Sequence, residues 1–146
     1  MEINIEGRLR TMRILWFALL MGIGSLFIVS LLAGDVIVNE PGSALPVVVI
    51  TAAGALLLVI SFVVKRRFLQ QSVEKQDLSL VQQGLVVACA LCEASALLGL
   101  LEHFAFGFRE YYWLFLVAAA GTALHFPRRE QLLAASPKIP ISGASS

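Results

Sequence analysis

Apolar residues fall into four long runs along the chain, with charged and turn-forming residues gathered between them. Ile14 to Ala33 is the first run and Leu45 to Val64 the second, and neither is interrupted by a charge. The third extends from about Val81 to Leu101 and contains one ionisable group, Glu93. The fourth, about Tyr111 to Phe126, is shorter and opens on Tyr111, Tyr112 and Trp113. None of the four shows the strict alternation of a half-buried strand, and runs of 18 or more apolar residues read as membrane spans. At 1.5 Å per residue the first run covers about 30 Å, the thickness of a hydrocarbon core. The pattern therefore predicts an all-α, polytopic membrane protein, four transmembrane helices in a bundle. The spans fall at about 14–33, 45–64, 81–101 and 111–126, within a membrane domain of residues 1–133.

The polar stretches complete this reading. Gly34 to Ala44 holds Asp35, Asn39, Pro41, Gly42 and Ser43, a turn-rich loop. Lys65 to Ser79 is rich in charge and glutamine and is expected to continue both neighbouring helices into water. Residues 134–146, with two prolines and several serines, are expected to form a disordered cytoplasmic tail. Arg8, Arg10 and Arg13 precede the first run, as they would in a signal peptide. A signal core is only ~7–15 residues long and ends in a small-x-small site. This run is longer, and Leu31-Leu32-Ala33-Gly34 does not fit such a site, so a retained anchor is expected.

Charge sets the orientation. Arg8, Arg10 and Arg13, then Lys65, Arg66, Arg67 and Lys75, then Arg128, Arg129 and Lys138 fall on one side, and Arg109 stands alone on the other. The side rich in Lys and Arg is cytoplasmic. Both termini and the central loop are thus expected inside, in what would be a bacterial inner (plasma) membrane. Trp16 at one surface and Tyr111, Tyr112 and Trp113 at the other suit interfacial anchors.

Composition agrees with this picture and excludes others. The chain of 146 residues is 58% hydrophobic and 14% charged, with a mean hydropathy of +0.84. A soluble domain carries roughly 25% charge. A net charge of +1 with no basic stripe gives no footprint for nucleic acid. No phosphate-binding loop, nucleophile elbow or zinc spacing occurs, so neither an enzyme nor a cofactor is expected.

Chemistry concentrates in the third run. A carboxylate at mid-bilayer costs from ~2.5 to more than ~10 kcal/mol when exposed to lipid, so Glu93 must be neutral, paired or turned inward. On a helix it shares a stripe with Gln82, Val86, Cys89, Ala96, Leu100 and His103. Beside it runs a stripe of small residues, Gly84, Ala88, Cys92, Ser95 and Gly99, that would let helix backbones pack closely. Glu93 is therefore either a proton- or ion-binding site or a hydrogen-bonded clamp between helices.

The stretch Gly84 to Glu102, GLVVACALCEASALLGLLE, resembles the carboxylate-bearing helix of rotary ATPase proteolipid (c) subunits. Leu91-x-Glu93-Ala94 followed by Gly99-Leu100 approximates that family's L-x-x-E-A and G-L segments. The resemblance covers nineteen residues and implies that Glu93 carries an ion. The family's glycine repeat on its first helix is reduced here to Gly22 and Gly24.

Cys89 and Cys92 form a C-x-x-C. A redox pair needs an activated thiol and access to a partner disulfide. Two mid-membrane cysteines beside a carboxylate, with no third, fit packing better. A membrane thiol oxidoreductase is the distant alternative. His103 and His125 fall at opposite ends of different helices and are expected at the interfaces, with no shared metal or haem. Glu102 and His103 are expected to pair at the outer surface.

The function expected is that of a small non-catalytic membrane protein, packed in the bilayer as a homo-oligomer or with other membrane subunits. The alternative is a proteolipid-like protein acting through Glu93. The orientation is directly testable. Cysteines introduced at Glu40 and at Arg109 should react with an impermeant thiol reagent in intact cells, and cysteines at Gln71 or Ser142 should not. Labelling of Ser142 from outside would reverse the topology.

Overall fold

A computed structural model describes residues 5–34, 44–108 and 110–136. Five helices account for 90% of them, and no strand occurs among them. They are α1 (Ile5–Ala33), α2 (Ala44–Lys75), α3 (Leu78–Phe106), α4 (Tyr112–Leu124) and α5 (Arg129–Ala135). The first three are long and apolar enough to cross a membrane, and α4 is a shorter apolar helix. The composition and fold are those of a multi-pass α-helical membrane protein. Asp35, Glu40 and Arg109, and the tail beyond Ser136, lie outside the described residues.

The three long helices overrun a bilayer core. At 29 to 32 residues each, they extend about 43–48 Å. α2 continues past the basic cluster at Lys65 to Lys75, and only Gln76 and Asp77 separate it from α3. This turn is closed by local chemistry. Gln76 takes the left-handed conformation (φ 51°), and the Asp77 N–H donates back to the Ser72 carbonyl at 3.0 Å. Asp77 then caps α3 by accepting from the Ser79 N–H at 2.8 Å. The Ser79 hydroxyl and N–H hold the Asp77 carboxyl below its ordinary range. The cap is therefore intact at neutral pH and weakens only as the medium becomes strongly acidic.

α4 is thirteen residues long, about 20 Å, which is shorter than the bilayer core. Two sequence features confine it. Gly107, left-handed at φ 59°, closes α3 by donating to the His103 carbonyl at 3.0 Å. Phe126 precedes Pro127, a position where the helical conformation is disfavoured. α5 then folds back, and its Leu132 and Ala135 are fully buried.

α3 is the central element and packs against all four others, most extensively against α2. α4 bridges α1 and α2, which do not touch each other among the described residues. Two apolar clusters fill the interior. One joins Leu9 and Met12 of α1 to Leu85 and Cys89 of α3 and Leu132 of α5. The other joins Ile23, Leu58, Cys92, Phe115 and Ala118 at a different depth. The outer faces of α1 and α2 are apolar and exposed, as a surface clothed by lipid tails should be.

Close approach of α2 and α3 depends on Gly84, where an added Cβ would lie 2.6 Å from Phe68 Cβ. Gly84→Leu should therefore lower the melting temperature of the protein in mild detergent, since overpacking costs about 1–3 kcal/mol. Leu97→Val, on an exposed part of α3, should leave it unchanged. Equal melting of the two variants would show that the seam is not tightly packed.

Candidate functional site

The inner faces of α2, α3 and α4 carry polar groups at helical spacing. On α2 the buried stripe runs Gly54, Leu58, Ser61 and Lys65, with Thr51 one turn before it. On α3 it includes Cys92, Ser95, Gly99 and Glu102, and on α4 Gly121, Thr122 and, just past the helix, His125. Steps of three and four residues keep each set on one face.

At one end of this column Glu102 is 1% exposed and accepts a hydrogen bond from Thr51 Oγ1 at 2.6 Å. His103 is also buried, with its ring over Tyr111 at a centroid distance of 4.2 Å. Its Nε2 has no hydrogen-bond partner. No hydrogen bond or ion pair is formed between Glu102 and His103.

At the other end the Lys65 ammonium donates to the His125 carbonyl at 2.9 Å. A cation there also complements the negative end of the α4 dipole. Ser61 Oγ donates to the Leu58 carbonyl at 2.6 Å and lies 3.0 Å from His125 Nε2. Which of the two donates depends on the imidazole tautomer. The Cys92 thiol approaches the same hydroxyl at 3.7 Å. Ser61 thus meets α3 and the end of α4 at one atom. Thr122 Oγ1 lies beside the same thiol without completing a hydrogen bond. Trp16 Nε1 donates to the Thr122 carbonyl at 2.6 Å, tying α1 to α4.

Between the two ends the column is interrupted. Leu114 lies against both Gly54 and Gly99: a Cβ at Gly54 would be 2.8 Å from Leu114 Cδ2, and one at Gly99 3.0 Å from Leu114 Cβ. Both positions lack a side chain where Leu114 occupies the space. Ser95 Oγ, beside Gly54, is buried and unpartnered.

Glu93 lies outside this column. It is partly exposed, and its Oε1 rests against Gly22 of α1, so a Cβ at Gly22 would strike it. No hydrogen bond or ion pair joins its carboxyl to any described residue. Cys89 and Cys92 are both free and fully buried, one in each apolar cluster. Gly84, Ala88, Ser95 and Gly99 are buried, Gly84 facing α2 and Gly99 facing α4. No set of three or more His, Cys, Asp or Glu side chains suited to a metal occurs among the described residues.

The sequence pattern points to Glu93 but not to Glu102, Lys65 or His125. The latter three stand at span boundaries, where charge ordinarily faces water. The helical spacing of Thr51, Gly54, Leu58, Ser61 and Lys65, a small and polar line through an otherwise apolar helix, is the available signal. Comparison with family models, with curated proteins and with solved structures gives no match.

Ser61 is the most connected of these groups. Ser61→Ala leaves a ring nitrogen and a thiol unpaired in the interior and should destabilise the protein by about 1–3 kcal/mol. Ser25→Ala, at an exposed serine that bonds only the Gly22 carbonyl, is the matched control. Thermal unfolding in detergent compares the two, and equal midpoints would remove Ser61 from any structural role.

Proposed function

We propose that this chain is a non-catalytic, four-span membrane protein that binds a proton at bilayer depth through Glu93. Both termini lie in the cytoplasm, as the Lys and Arg distribution favours. One observation carries the reading: a mid-helix carboxyl set against a glycine of the neighbouring helix, without a partner among the described residues. A carboxylate without a counter-ion is costly in hydrocarbon, which makes an unpaired carboxyl at this depth a site for a proton. Glu102, by contrast, is committed to Thr51 inside the bundle and acts as a helix clamp. The proteolipid-like segment from Gly84 to Glu102 supports the same assignment. In this reading Gly22 serves the carboxylate, since any larger side chain would displace it.

Dicyclohexylcarbodiimide attacks protonated carboxyls in apolar surroundings and separates the two glutamates. Glu93 should be modified in the native protein, with reactivity falling as the pH rises and the carboxyl ionises. Glu102, enclosed by the helices, should resist. Glu93→Gln should abolish modification while leaving folding intact, because glutamine keeps the shape and loses only the titration. Gly22→Val should fold and alter the rate of modification. A protein whose Glu93 stays unmodified across the accessible pH range, and whose Gln variant supports normal growth and assembly, would sink the proposal.

A further inference from the structure

A cavity of about 510 Å³ opens at the amino-terminal end of α1, where that helix passes α5. Its basic groups are Arg10 and Arg13 of α1 and Arg129 of α5, and Glu6 is the acidic group at its edge. Below the arginines the wall is apolar, formed by Ile14 and Phe17. Both are exposed, at 60% and 58%, and each lies about one turn deeper on α1 than the arginine four residues before it. Arg10 and Arg13 are three residues apart and so share a face of α1. Arg13 is already oriented, with its guanidinium 5.4 Å from the centre of the Phe126 ring.

We propose that this cavity binds an anionic phospholipid, with the phosphate held by Arg10, Arg13 and Arg129 and an acyl chain lying along Ile14 and Phe17. The guanidinium fork matches a phosphate and stays charged at any working pH. Three arginines against one carboxylate leave the mouth cationic. The order of groups along α1, basic and then apolar, follows the order of headgroup and tail in a lipid leaflet. Depth agrees as well. Arg13 immediately precedes the apolar run that begins at Ile14, so its guanidinium meets the headgroup layer while Phe17 reaches the tails. A free phosphate would use the arginines and ignore the apolar wall. Arg129 gives the ligand a second element to hold, so binding joins α5 to α1.

Native mass spectrometry of the full chain in mild detergent, titrated with phosphatidylglycerol or phosphatidylcholine, tests this. Phosphatidylglycerol should be retained in preference, and its binding should weaken with rising salt. Arg10→Gln, Arg13→Gln and Arg129→Gln should each lower its affinity about fivefold. Phe17→Ser should lower it too, and should weaken a short-chain lipid less than a long-chain one. Arg66→Gln with Arg67→Gln, basic residues outside the cavity, should have no effect. If the two α1 arginine variants fail to fold, Arg129→Gln alone carries the test, because it leaves the spans untouched. Equal retention of the two lipids would overturn the proposal. So would equal loss on removing Arg66 and Arg67, or thermal stabilisation by inorganic phosphate matching that by the lipid.

Discussion

The structure depends on one constraint: a polar group inside a bilayer must find its partner within the chain, because water is not there to supply one. Helices satisfy the backbone. Several of the side chains that remain are served by pairings from α2, namely Thr51 with Glu102, Lys65 with the end of α4, and Ser61 with both His125 and Cys92, whereas Ser95 Oγ and His103 Nε2 stay unpartnered. Between them they join α2 to α3 and to the end of α4. Apolar contact alone discriminates poorly between helices when lipid tails are as apolar as leucine. These hydrogen bonds, together with the close approach at Gly84, fix which faces meet.

Much of the fold was legible because the bilayer imposes a coarse code. Length and hydropathy alone locate α1, α2 and α3, whereas the cap at Asp77 is seen only in the structure. The boundaries were less legible. Lys65 to Ser79 reads from its charge as a continuation of both helices into water, and α2 does run on to Lys75, but the break at Gln76 and Asp77 carries no signal in the hydropathy. α5 gave no signal, because seven residues are too few for a periodic pattern and its burial depends on Leu9 and Met12 of a distant helix. α4, read from hydropathy as about 111–126, is a helix of thirteen residues, Tyr112–Leu124, that ends ahead of Pro127.

The site was legible in part, and for a physical reason. A carboxylate in the middle of an apolar run is conspicuous, so Glu93 stands out at once. Glu102 does not, because a charge near the end of a run looks like a charge in water. Its burial follows from Tyr111 and the start of α4 folding over that end of α3 and from Thr51 across α2, contacts between residues far apart in the chain. Lys65 and His125 are concealed in the same way. The two glutamates thus exchange the surroundings their sequence positions suggest. The one nearer the middle is partly open at the seam with α1, and the one nearer the edge is enclosed.

Leu114 gives this interior a further property. By filling the space left at Gly54 and Gly99, it divides the polar column into two compartments that share no hydrogen bond among the described residues. An apolar side chain thus stands between the Thr51–Glu102 contact and the Ser61–His125 contact. The two ends of the bundle are thereby built as separate fastenings, each able to loosen without releasing the other.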